Sequence, residues 1–176
     1  KQINREEITE IGIITSQKMV IILQKNSRFT FLILFLFLVS CSDNVEFSKY
    51  ESLSNASWEA HENISFKFEI TDTISSKDLF INIRNNRNYA YSNLFVITEL
   101  DFPNGTKIID TLQYEMTDNF GKFLGKGFTD IKENKLFYKE NKVFPITGEY
   151  EFKVHQAMRK NGDLEVIPFL EGVHDV

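Results

Sequence analysis

Between Ile64 and Ile70 the chain reads ISFKFEI, with Ile64, Phe66, Phe68 and Ile70 on one side and Ser65, Lys67 and Glu69 on the other. A period of two fits only an extended strand with one face on a core and the other in water. The pattern recurs at Leu79–Arg84, where Leu79, Ile81 and Ile83 point inward, and at Glu149–Met158, where Tyr150, Phe152, Val154, Gln156 and Met158 share a face. Tyr91–Leu100 is apolar on both sides around Leu94–Ile97, as a central strand must be. Phe102-Pro103-Asn104-Gly105-Thr106 is hairpin chemistry, and Ile108–Tyr114 is its return strand. Asn85–Asn88 and Lys160–Asp163 are further turns. Val45, Phe47 and Tyr50 are spaced as a short lead-in strand, and Leu136–Lys139 and Val143–Phe144 as two more. No segment carries an amphipathic helical period. The expected fold is all-β, an antiparallel β-sandwich of about seven or eight strands. Phe66, Phe68, Leu94, Val96, Phe152 and Val154 form its expected core.

The N-terminal part follows a different rule. Phe29–Val39 reads FTFLILFLFLV, preceded by Lys25 and Arg28 and followed by Ser40. A positive flank, a short apolar run and a small residue make a secretory signal peptide. Spanning a bilayer takes about 20 apolar residues, so this run is too short. Residues 1–40 are therefore read as a signal segment whose first 18 residues over-extend a start at Met19. Leu38-Val39-Ser40-Cys41 closes it as a lipobox, and Cys41 is the one cysteine in the chain. A thiolate is the nucleophile that forms a stable thioether to diacylglycerol. Residues 41–60 then read as a lipidated tether and lead-in, and 61–176 as the sandwich domain.

Charge and composition narrow the function. From Cys41 onward, 22 acidic against 15 basic residues leave net −7. An acidic body with no Lys/Arg patch argues against nucleic acid as a partner. With no second cysteine there is neither a disulfide framework nor a cysteine zinc site. His61, His155 and His174 lack metal-ligand spacing, and neither a metal nor another cofactor is expected. Gly121-Lys122-Phe123-Leu124-Gly125-Lys126-Gly127 has three residues between its first glycines, no Ser/Thr after Lys126 and no following helix, so it is no phosphate loop. No nucleophile elbow or calcium loop occurs, and no small-molecule substrate is identified. The chain is read as non-enzymatic. Asp72-Thr73-Ile74 and Asp110-Thr111-Leu112 resemble the O-glycosylation triplet of Bacteroidota exported proteins, and equally suit two exposed strand-end threonines, Thr73 and Thr111.

Six segments in order carry a family resemblance. Tyr91-Ser92-Asn93-Leu94-Phe95, Phe102-Pro103-Asn104-Gly105 and Asp110–Met116 are followed by Gly121–Gly127, Asp130–Leu136 and Gln156-Ala157-Met158-Arg159. Together with the lipobox, this set resembles the gliding motility lipoprotein GldH family of Bacteroidota from about residue 41 to the end. The resemblance implies a lipid-anchored component of the gliding machinery, linked to type IX secretion and working beside other gliding lipoproteins. It places the protein in the cell envelope, on the periplasmic or surface face of the outer membrane. It also implies a further strand after Gly172–Val176, so the domain is expected to be truncated at its C-terminus.

Without chemistry, action is by contact. Met116–Glu133 holds three glycines and no clear period, and Phe123 and Phe128 beside Lys126 are its expected apolar centre and charged rim. The alternative is a carbohydrate-binding sandwich in which Trp58, Tyr89, Tyr91 and Tyr138 stack on sugar rings. The anchor is directly testable: Cys41→Ala is expected to leave an unprocessed precursor, and normal palmitate labelling of that variant would refute the lipoprotein reading.

Overall fold

Each stretch of clear alternation is a strand. The structure, a computed structural model, describes residues 45–176. Cys41, the lipobox and the signal segment lie outside the described residues. Within the unit Phe47–Val176 the strands are β1 (Ser57–Glu59), β2 (Ile64–Ile70), β3 (Lys77–Asn85), β4 (Asn93–Asp101) and β5 (Lys107–Glu115). They continue with β6 (Lys132–Lys142), β7 (Gly148–Gln156), β8 (Phe169–Glu171) and β9 (Val173–Asp175). All named pairings are antiparallel: a four-stranded sheet in the order β2-β7-β4-β5, a three-stranded sheet β6-β3-β9, and the small pair β1-β8.

The two larger sheets bury their inner faces on each other. Phe66, Leu94, Val96 and Val154 from one meet Ile81, Ile83, Leu136 and Tyr138 from the other in a single apolar cluster. At one end a second cluster gathers Ile70, Leu100, Phe144 and Tyr150. Phe68 and Phe152 also face inward, as the alternation requires, but sit half-buried at the rim of this second cluster. Phe68 lies 5.9 Å from both Phe144 and Tyr150, so aromatic neighbours complete its cover.

The register fixes the two ends. Ile70, Gly148, Asp101 and Lys107 lie at one end of the four-stranded sheet, and Ile64, Gln156, Asn93 and Glu115 lie toward the other. The chain enters at the first end, where the Phe47 ring packs 5.5 Å from Phe68. The β4–β5 hairpin closes that same end, with Phe102 N–H donating to the Thr106 carbonyl at 2.8 Å and Gly105 at φ +83°. A left-handed φ is what the Asn-Gly signal calls for.

Three expectations need correction. Val45, Phe47 and Tyr50 form no strand. Instead Glu51 exchanges backbone hydrogen bonds with Val176 and Leu53 N–H donates to the His174 carbonyl, so residues 51–53 cover the edge of β9. Leu136–Lys139 is the middle of an eleven-residue strand, β6, and Val143–Phe144 lies beyond its end. The polar stretch at its start hides the period because Asn134 takes an inward position. Its amide donates to Asn85 Oδ1 at 2.7 Å and to the Ile83 carbonyl at 3.1 Å, which makes a buried polar residue tolerable.

Trp58 pins the smallest sheet to the body. Its neighbour across the pair is Leu170, and both are fully buried. Trp58→Ala is expected to cost about 3–5 kcal/mol in urea unfolding. A loss below about 1 kcal/mol would mean that β1 and β8 contribute little to the cooperative unit.

Candidate contact surface

The loop between β5 and β6, residues 116–131, is held in shape by its own hydrogen bonds. Asp118 Oδ1 accepts the Phe120 and Lys122 N–H groups, each at 2.9 Å. Gly121 turns at φ +79°, and Asp118 N–H donates to the Lys122 carbonyl. Lys126 exchanges two backbone bonds with Glu133, and Lys132 Nζ donates to the Gly127 carbonyl at 2.6 Å. Gly125 lies so close to β6 that a Cβ there would sit 2.7 Å from Asn134 Oδ1. Backbone and carboxylate anchors are used up internally, which leaves the side chains free to face outward.

The expected site residues separate. Phe123 turns inward and packs, half-buried, against the main core cluster. Phe128 is fully exposed and Lys126 is exposed on the same loop. Phe120, at 96% exposure, and Leu124, at 54%, join Phe128 as apolar groups in water. The sequence placed Phe120 inside the segment but did not mark it; Asp118-Asn119-Phe120-Gly121 is the turn signal that puts an aromatic at a loop tip. Lys122 and Lys126 have no carboxylate partner among the described residues, whereas Asp130 is paired with Arg87 at 2.8 Å. The loop therefore joins three exposed apolar side chains to two uncompensated cations, on a body that is acidic as a whole.

The outer face of the four-stranded sheet is the opposite case. Lys67 pairs with Glu149, Lys153 with Asp101 at 2.6 Å and Glu99 at 3.2 Å, and Lys107 with Glu99 at 2.6 Å. The two carboxylates beside Lys153 raise its pKa. Hydrogen bonds from Ser65 and then attraction to Lys153 lower that of Glu151. Charges so matched leave little unpaired potential for a partner. Between the sheets, Lys139 and the Tyr138 hydroxyl, at 2.8 and 2.7 Å, hold the Asp110 carboxyl below its ordinary value of 3.8.

The aromatics named for sugar stacking do not form a platform. Trp58, Tyr89 and Tyr138 are buried and Tyr91 is half-buried, its ring edge-on to Tyr89 at 5.9 Å. These rings pack inward from β1, β6 and the β3–β4 loop, and that arrangement is overturned. The histidines stay apart: His61 lines a shallow depression with Glu59, Glu62, Glu171 and Phe169, His174 Nε2 meets the Asn86 amide at 2.8 Å, and His155 lies on β7. Among the described residues no His/Cys/Asp/Glu group is arranged to hold a metal, and no helix is long and apolar enough to cross a membrane. Thr73 sits in a turn built on the Asp72 carboxylate, and Thr111 stands exposed in the middle of β5.

The GldH lipoprotein family matches residues 45–176. A gliding motility lipoprotein GldH homolog of Christiangramia forsetii is 47% identical over 150 residues, covering 85% of this chain and 91% of the relative. The gliding motility lipoprotein GldH of Flavobacterium johnsoniae is 39% identical over 139 residues, covering 79% and 86%. No solved structure matches the chain.

Asp110 gives a pH signature. Its folded pKa lies below the unfolded value, so its contribution to stability is present above about pH 3.8 and fades as pH falls through the folded value. Asp110→Asn is expected to lower the melting temperature at pH 7, with the gap to the parent closing as the pH falls below the ordinary carboxylate value of 3.8. A gap that stays constant with pH would assign the loss to packing and not to charge.

Proposed function

The chain belongs to the GldH lipoprotein family, and from that premise we propose that this gliding motility lipoprotein is a non-enzymatic part of the gliding machinery that works through protein–protein contact. The family places it in the cell envelope on a lipid anchor. In this reading the anchor is Cys41, the membrane is the outer membrane, and the contacts serve type IX secretion. Other gliding lipoproteins are its expected partners.

The observation that carries the contact reading is the loop 116–131. An ordered backbone presents Phe120, Leu124 and Phe128 to water, and exposure of that kind is costly unless something covers it. The loop stands at the end of the sandwich opposite the place where the Phe47 ring packs on Phe68, and Tyr50 meets its base, the hydroxyl donating to Glu133 at 3.1 Å. Lys122 and Lys126 make a charged rim around the apolar centre, the anatomy of a transient interface.

Lys126→Glu combined with Phe128→Ser tests this. Both side chains are exposed, so folding, export and the melting temperature are expected to hold while cell spreading fails. Full spreading by the stable double variant would remove the loop from the working surface. Phe123→Ala is the internal comparison, since its half-buried ring should lower stability as well.

A further inference from the structure

The free edges of the sandwich are not alike. The β9 edge is covered by residues 51–53 through the backbone bonds of Glu51 and Leu53. The β6 edge carries Lys132, Lys135, Lys139 and Lys142, its register with β3 is broken by two shifts, and its Phe137 carbonyl is capped by the Tyr114 hydroxyl at 2.7 Å. The β2 edge is seven residues long with Lys67 at its middle. Lysines, bulges and covers are how natural sheets protect an edge against pairing. β5 is the least protected: nine residues, an unbroken register with β4, no proline, Lys107 only at its first position, and one inward charge, Asp110, which Lys139 and the Tyr138 hydroxyl already hold.

The hydrogen-bonding pattern shows what the β5 edge offers. Phe102 N–H donates to the Thr106 carbonyl, and Met116 N–H donates to the Ser92 carbonyl at 2.7 Å. In an antiparallel ladder bonded pairs alternate, so Ile108, Asp110, Leu112 and Tyr114 bond to β4. Lys107, Ile109, Thr111, Gln113 and Glu115 therefore turn their N–H and C=O groups to the open side, where no strand among the described residues pairs with them. The side chains of these five residues are exposed, Ile109 at 64%.

This set is its own complement. Reversed about Thr111, Lys107 faces Glu115, Ile109 faces Gln113 and Thr111 faces itself, and every facing pair is one that exchanges two main-chain bonds. The charged ends match twice by symmetry: Glu115 has no cation partner of its own among the described residues, and Lys107, already beside Glu99 and Asp101, would bridge to it. On the inner side the same reversal sets Ile108 opposite Tyr114. We propose that the β5 edge is an isologous docking surface for a second copy of this chain, joining two four-stranded sheets into one continuous sheet across a two-fold axis at Thr111.

Disulfide trapping on the full lipidated chain in membranes tests the pairing. The chain has one cysteine, Cys41, whose sulfur the lipid occupies, so an introduced thiol reports alone. In a bonded antiparallel pair the two Thr111 Cα atoms would be about 5.5 Å apart, within disulfide reach. Thr111→Cys is expected to give a crosslinked dimer of this chain under mild oxidation. Gln113→Cys should not, because two-residue offsets on both strands separate its symmetry mates by about 14 Å. Adding Glu115→Lys to the Thr111→Cys chain should lower the dimer yield several-fold, by setting Lys107 against a like charge. No crosslink at Thr111, equal crosslinking at Thr111 and Gln113, or trapping of Thr111→Cys to a different protein would each overturn the proposal.

Discussion

The inner row of β4 holds this molecule together. Leu94, Val96, Thr98 and Leu100 are excluded from water along the length of a strand that pairs on both sides, with β7 and with β5. Everything else leans on that row: β2 is reached only through β7, and the three-stranded sheet closes over it with Ile81, Ile83 and Tyr138. No disulfide crosses the described domain, so apolar burial and the ladders carry its stability. One polar member, Thr98, is accommodated by its bond to the Asp110 carbonyl.

Much of this was legible because the side-chain period is strict. ISFKFEI, the double-sided Leu94–Ile97 and the Asn-Gly hairpin specify β2, β4 and β5 with their faces. What was lost has two causes: groups satisfied by partners far away in sequence, and strands too short to show a period. Asn134 is inward because Asn85 and Ile83 lie 49 and 51 residues upstream, and no local pattern announces such a pair. β8 and β9 are three residues each, separated by Gly172 at φ +85°, too short for a period to show. Residues 51–53 look like linker because their bonds go to the chain's last residues.

The contact surface was legible in outline and not in detail. Irregularity and glycines marked the loop, but Phe123 and Phe128 are alike in sequence and opposite in structure. Leu124 N–H returns to the Met116 carbonyl and Thr117 bridges Phe123, which ties that ring to the core. Phe128 follows Gly127 at φ +156° beyond any such tie. Trp58 and Tyr138 on strands and Tyr89 in the β3–β4 loop are buried, and large rings serve packing first. The separation is economical: one sheet face is saturated by ion pairs, one strand edge is open, and one loop is apolar.

The short run of chain ahead of Phe47 has a consequence for search and residence. In the anchoring proposed at Cys41, six peptide units would separate the bilayer from Phe47, which packs on Phe68, a reach of about 22 Å at full extension. A body on so short a leash samples a thin shell above one membrane. Any partner in that same membrane is met by lateral diffusion at a raised effective concentration, so weak recognition suffices where free proteins would need tight binding.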